Sequence, residues 1–373
     1  MDVLRGLTMA AMIVVNNPGT WSRMYSPLRH ADWGGWLLPA DLVFPFFLVL
    51  VGVSVPLALG RRLAANVARG VVMRRALRRA LLLFAIGLFL NLFPDFDLAT
   101  VRVPGVLQRI AIVYLACVGL YLITGPRGWV AATFALLGGY AALLAWTPVP
   151  GLGRAVLTPG NSLPVWLDDL ALGPHGWPGP GDPEGLLSTL PAIATGAVGL
   201  LVGAALRGAA LRGTRPPGTL ARRLAAAGLA CLAVGTAVGS WQPAVKDVWT
   251  SAYALITAGW ALLALAAGHR LVDGHRLVDG GPRRALLEPA VALGRNALLA
   301  FVAAHLLSDL AIRVLRWPTS DGGSISLHHW VQRHLLASWL PPEAASLAQS
   351  LGLLILVTAV LVHLQRRGIV VRL

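Results

Sequence analysis

The sequence predicts an all-α fold: a polytopic integral membrane helical bundle of about ten transmembrane helices, with both termini cytoplasmic. Three observations predict it. Of 373 residues, 56% are hydrophobic and only 13% are charged, where soluble domains carry about a quarter charged residues. The mean hydropathy is +0.69. The 31 Lys and Arg, set against 16 Asp and Glu, are spaced between long apolar runs and do not gather on one hydrated face. That spacing argues against nucleic acid, the usual partner of a chain with a pI near 11.4. A membrane surface, or an anionic ligand held at one, suits the net charge of +15 better. Hydrophobicity this high excludes disorder. The two cysteines, Cys117 and Cys231, both lie inside apolar runs, which excludes a disulfide scaffold.

A bilayer core about 30 Å thick takes roughly 20 apolar residues per helix. On that template the spans begin near Val3, Trp36, Ala76, Pro104, Trp129, Leu186, Ala221, Val248, Pro289 and Ser346. The first has a short apolar core, Leu7 to Val15, with no small-residue cleavage site after it, so it reads as a retained helix that includes Asn16 and Asn17 near its outer end. The second, from Trp36 to Leu59, has Asp41 as its only charge. The third needs Arg78 and Arg79 to reach back to the interface, and the ninth carries Arg295, His305 and Asp309. With the N-terminus inside, 21 of the 31 cations fall on the cytoplasmic side, as the positive-inside rule requires. The outer loops are then residues 18–35, 147–185 and 317–345, and a basic inner loop covers 61–79. Residues 1–373 read as one transmembrane domain. A tandem hexamer, HRLVDG twice from His269, is an inner-loop duplication; His269 and His275 lack a third ligand at a spacing that would suit zinc.

Ionisable groups at membrane depth cost at least about 2.5 kcal/mol on insertion scales, so they tend to be paired or functional. Asp41 either pins helix packing by pairing with an arginine such as Arg109 or contacts a substrate. His305 and Asp309, four residues apart, share a helical face and read as packing polarity. His30 lies in a short outer loop between the Asn16-Asn17 amides and the Asp41 span. An imidazole there is either an ordinary surface residue or a general base or nucleophile, with an amide to orient it or to stabilise an oxyanion. His328, His329 and His334 lie on a Trp- and Leu-bearing stretch that reads as an interfacial helix. The arginines from Arg69 to Arg79 either fix topology and touch anionic lipid or clamp the phosphates of a cytosolic ligand.

Eight stretches, taken together and in order, resemble one known family. They are DVLRGLTMA from Asp2, VNNPG from Val15, LRHADWGG from Leu28, ADLVFPFF from Ala40, RVPGVLQR from Arg102, GDPEGLLST from Gly181, KDVWTSAY from Lys246 and GRNAL from Gly294. The chain resembles the heparan-alpha-glucosaminide N-acetyltransferase-like membrane acyltransferases. The resemblance implies transfer of an acetyl group from cytosolic acetyl-CoA to an amino sugar across the membrane. It implies His30 as the active-site histidine and Asn16 as the catalytic asparagine, with Asn17 its neighbour and Asp41 beside them. Arg75, Arg78, Arg79, Gln108 and Arg109 would hold the CoA, and Asp182, Glu184 and Trp33 the acceptor.

The expected activity is therefore an acetyl-CoA-dependent transmembrane acetyltransferase of a bacterial cytoplasmic (inner) membrane, with a glucosamine-type or cell-envelope glycan acceptor. Acetyl-CoA is its co-substrate, and no metal is expected. Membrane lipids surround it, a second copy of the chain is admitted as a partner, and nucleic acid is not. His30 would either carry the acetyl group as an acyl-imidazole or deprotonate the acceptor amine. The rival from another class is a transporter or flippase of a small polar or sugar-like solute built on the same bundle.

Overall fold

A computed structural model of the chain describes residues 1–179, 181–212, 218–274, 282–319 and 322–369. The second hexamer copy, with His275, lies outside them. The membrane bundle comprises α1 (Asp2–Asn16), α2 (Pro39–Ala64), α3 (Arg69–Leu92), α4 (Val106–Ile123) and α5 (Pro126–Trp146). After α6 (Leu163–Leu172), in an outer loop, come α7 (Thr189–Arg212), α8 (Thr219–Gly239), α9 (Ser251–Gly274), α10 (Pro282–Arg295) and α11 (Ala297–Asp309). The short α12 (Leu327–Trp330) and the long α13 (Pro342–Arg366) complete the helices. Two small antiparallel hairpins decorate the loops: β1 (Leu157–Thr158) with β2 (Asn161–Ser162), and β3 (Arg316–Pro318) with β4 (Ser324–Ser326).

Among the described residues, eight helices are long and apolar enough to cross a membrane, where the sequence pattern suggests about ten. The difference lies in α1 and α3. Helix α1 ends at Asn16 after 15 residues, with Asn17 as its C-cap. Helix α3 is long, but its first three turns carry Arg69, Arg74, Arg75, Arg78 and Arg79. The expected inner loop 61–79 is therefore mostly helix: Arg61 and Arg62 end α2 and Arg69 starts α3, so only four residues connect them. Arginine is a good helix former, and hydropathy alone cannot see that. The ninth span is also two helices, α10 and α11, broken at Asn296.

Helix α2 sits at the centre, touching α1, α4, α7 and α9. Its contact with α7 rests on small residues, as close helix crossings in lipid do. A Cβ on Gly199 would come 2.2 Å from the Val49 carbonyl, and one on Gly52 would come 2.0 Å from that of Gly196. Helices α1 and α10 meet the same way, with Gly6 on Ala290 and Gly294 on Asp2. Leu48, Val53, Val113, Cys117 and Leu200 fill the centre of the core at 0% exposure.

The loop between α5 and α7 is braced by one carboxylate. Asp168 of α6 is 3% exposed, and its Oδ1 accepts the Leu186 amide at 2.8 Å. Burial, assisted by the neighbouring charge of Asp182, raises its pKa to about 6 even though that amide favours the anion. A carboxyl held above its unfolded value of about 3.9 favours the neutral form, so its contribution to stability is complete below about pH 4 and is lost as pH rises through 6.

Two predictions follow from this packing. Gly199→Ala should destabilise the detergent-solubilised protein by about 1–3 kcal/mol, while Gly138→Ala, whose Cβ meets nothing within 4 Å, should leave the thermal midpoint unchanged. Asp168→Asn should be more stable than the parent at pH 7, with the difference vanishing near pH 4. A difference independent of pH would contradict the assignment.

Candidate active site

Asp41 lies in the first turn of α2 with its side chain fully buried, and four groups hold it. His30 Nδ1 donates to Oδ1 at 2.9 Å, and the amides of Ala31 and Leu38 donate to Oδ2 at 3.1 and 2.9 Å. The Tyr253 hydroxyl of α9 donates to the Asp41 carbonyl at 2.6 Å. The partner of Asp41 is thus His30 and not Arg109, which corrects the pairing suggested from the sequence. An ionised carboxylate accepts only, so it makes Nδ1 the donor and leaves Nε2 of His30 as the basic nitrogen. The His30 side chain is one-third exposed, so Nε2 can meet a ligand from outside.

Around this dyad lie other charges. Arg102 donates from Nε and Nη2 to Asp182 at 2.9 and 2.5 Å and from Nη2 to Glu184 at 2.5 Å, with its guanidinium 4.7 Å from the Trp177 ring centre. Burial works against that cation, but the two carboxylates outweigh it and raise its pKa. Asp182 and Glu184 therefore brace a loop through Arg102. Trp33 packs on Val165, Val245 and Val248. Lys246 and Asp247, which the sequence reading left out of the site, belong to it: each interacts electrostatically with Asp41 and Glu184, and Asp247 also with His30. Both lie in a short outer loop, where a charge reads as solvated by default, and only their place in the KDVWTSAY stretch signalled them.

The two asparagines separate. Asn17 donates to the Ile13 carbonyl at 2.7 Å and accepts from Ser308 at 2.5 Å, which ties α1 to α11. Asn16, at the end of α1, is exposed. Neither amide is hydrogen-bonded to His30. His305 and Asp309 face one another at 3.4 Å, and His328 donates to the Gly19 carbonyl, bracing the loop.

At the other end of the bundle is a cavity of about 860 Å³. Arg5, Arg62, Arg75, Arg78, Arg79 and Arg295 line it, and among its described lining residues there is no carboxylate. Arg79 sits 5.1 Å from the Tyr114 ring centre, and Arg5 donates to Ser54 at 3.0 Å. Arg62 comes from the end of α2, within the basic stretch 61–79, whereas Arg5 and Arg295 come from α1 and α10, which no local run in the sequence groups with it. Gln108 and Arg109 do not line this cavity. Gln108 fills the space left by Gly87 and Gly105. Arg109 is 1% exposed, lies 5.1 Å from the Trp249 ring centre, and donates to the Gly185 carbonyl and Ser188 at 3.0 and 2.5 Å.

One helix links the two ends. Asp41 and Arg62 are 21 residues apart on α2, roughly 31 Å at 1.5 Å per residue. The cavity wall follows α2 from Arg62 as far as Phe47. Six further residues, roughly 9 Å of axis, lead to Asp41.

Comparison with known proteins finds matches of one kind. The family described as heparan-alpha-glucosaminide N-acetyltransferase, catalytic, matches residues 1–162, which include His30, Asp41 and the α3 arginines. Two curated relatives match 88% of the chain: heparan-alpha-glucosaminide N-acetyltransferase of Mus musculus, 25% identical over 380 residues, and that of Homo sapiens, 26% identical over 384. The chain covers 56% and 55% of those proteins, so it spans about half the length of the curated relatives it matches. Motifs in order along the chain, a family match over its first part and relatives aligned along most of its length agree: the chain is similar to the heparan-alpha-glucosaminide N-acetyltransferases.

Proposed function

We propose that the protein is a transmembrane acetyltransferase that takes acetyl groups from acetyl-CoA at its arginine-rich end and delivers them to an amino sugar, or an amine-bearing cell-envelope glycan, at the His30 end. A bacterial inner membrane, with the arginine-rich end facing the cytoplasm, is the setting that the cation asymmetry favours. The observation that carries this reading is the placement, on one central helix, of a cation-only cavity at one end and a His–Asp dyad at the other.

The cavity suits the donor. Six guanidiniums in a wall with no carboxylate, one of them (Arg5) paired with Asp2 at 3.2 Å, make a strong site for phosphates, which arginine can grip through paired N–H groups. Farther along α2 the wall becomes apolar at Val51, Leu50 and Phe47. That suits an uncharged pantetheine arm and shields a thioester from water.

The dyad suits the transfer. Asp41 fixes the imidazole so that Nε2 faces the acceptor. The acceptor ammonium first loses a proton to solvent; the amine lone pair then attacks the thioester carbonyl, the C–N bond forms and the C–S bond breaks. The amine proton moves to His30 Nε2 and then to the departing thiolate, which leaves as CoA thiol and restores the neutral imidazole. Asn16, exposed at the end of α1, is the amide that can stabilise the oxyanion, since the Asn17 side chain is engaged with α11.

Replacing His30 by Ala should lower transfer of labelled acetyl from acetyl-CoA to glucosamine by at least about 100-fold, while CoA still raises the thermal midpoint of the variant. Arg75→Gln combined with Arg79→Gln should instead raise the KM for acetyl-CoA by roughly tenfold or more with little change in the KM for glucosamine. Full activity in His30→Ala would contradict the proposal.

A further inference from the structure

The turn between α8 and α9 is held in an uncommon conformation. Trp249 has φ +48°, a left-handed backbone that a bulky side chain rarely adopts and that persists only when its surroundings impose it. Here they do. The Trp249 ring is 1% exposed, meets Phe44 and Tyr253 edge-on at 5.4 and 5.2 Å, and donates through Nε1 to Thr195 at 3.3 Å. Thr250 closes the turn, its hydroxyl accepting the Val245 amide at 3.0 Å and donating to the Pro243 carbonyl at 2.9 Å. Tyr253, one helical turn on, is bonded to Asp41 itself.

This rigid turn places Lys246 and Asp247 beside the dyad, in the field of Asp41 and Glu184 and, for Asp247, of His30. Both are partly buried, and burial works against the charge of each, lowering the Lys246 pKa and raising that of Asp247. Yet among the described residues neither side chain makes a hydrogen bond or an ion pair. Trp33, packed on the flanking Val245 and Val248, has a buried Nε1–H that is likewise unpartnered. The two offset each other's charge in part, but partly desolvated charges without a hydrogen bond are expected where a ligand supplies one. Lys246 is also the single lysine of the chain, beside a carboxylate that can accept an ammonium.

We infer that the Lys246–Asp247 turn is the acceptor-recognition element of the outer site, with the Asp247 carboxylate receiving the ammonium of the amino sugar next to His30 and Lys246 donating to a neighbouring hydroxyl oxygen. This rests on the acetyltransferase reading for its substrate class. It makes Asp247 the residue that distinguishes an amine from the hydroxyl of an otherwise equal sugar.

The test does not require turnover. Diethyl pyrocarbonate carbethoxylates accessible imidazoles, and the rate at the His30 peptide is read by mass spectrometry with glucosamine or with glucose present. Glucosamine should protect His30 in the parent protein and glucose should not. In Asp247→Asn the glucosamine concentration needed for half-protection should rise by roughly tenfold or more, and Asp247→Glu, which keeps the charge, should restore much of it. A CoA-induced rise in thermal midpoint, equal in parent and variants, shows that the variants are folded. Absence of protection in the parent, equal protection by glucose, or an unchanged half-protection concentration in Asp247→Asn would each overturn the inference. Loss of the CoA response in the parent would overturn the donor reading instead, and the two failures are therefore separable.

Discussion

A single buried carboxylate governs the arrangement of the site. Asp41 starts a membrane-spanning helix with its side chain out of contact with solvent, where an unsatisfied charge would cost several kcal/mol. The bonds that satisfy it come from two places: the loop ahead of α2, with the imidazole of His30 and the amides of Ala31 and Leu38, and α9, whose Tyr253 hydroxyl donates to the Asp41 carbonyl. The carboxylate also stands where the positive end of the α2 dipole favours it. Satisfying Asp41 thus draws the loop ahead of α2 inward, sets the tautomer of His30, and fastens α9 with its preceding turn beside that histidine. Removing it would release the loop and the base together.

The opposite end obeys the opposite rule. Six arginines surround a cavity with no acid among its described walls; Asp2 offsets Arg5, and the positive charge that is left favours an entering anion. Helix α3 shows the compromise directly: its first turns are too charged to count as a membrane span, and its later turns, with Leu83 and Leu90 buried, pack like one. Close glycine contacts between α2 and α7 hold the central helix that runs between the two ends. The polarity of the molecule, cations at one end and a carboxylate-held imidazole at the other, suits the proposed reaction divided between two sides of a membrane.

Much of this was legible in the sequence. Apolar runs located the helices, and Asp41 was conspicuous as the only charge in its run. The partner of Asp41 was not legible, because His30 reaches it from a loop and helical periodicity carries no information about where a loop returns. Arg5 and Arg295 could not be grouped with the arginines of residues 61–79, since two separate helices, α1 and α10, bring them there. Gln108 and Arg109 sit in a motif that the family resemblance joined to the donor site, yet their helix turns them toward Gly87 and Trp249, away from the cavity that Leu107 and Ile110 line. Lys246 and Asp247 were overlooked because their burial arises from the strained turn at Trp249, which no composition signal announces.

The claim that donor and acceptor are used from opposite ends is tested most directly in sealed proteoliposomes of one orientation. Labelled acetyl-CoA is supplied only on the arginine-rich side and glucosamine only on the His30 side. The account predicts N-acetylglucosamine on the His30 side and CoA on the other, with neither acetyl-CoA nor glucosamine crossing. Acetylation that requires both substrates on one side, or passage of intact sugar across the membrane, would contradict it.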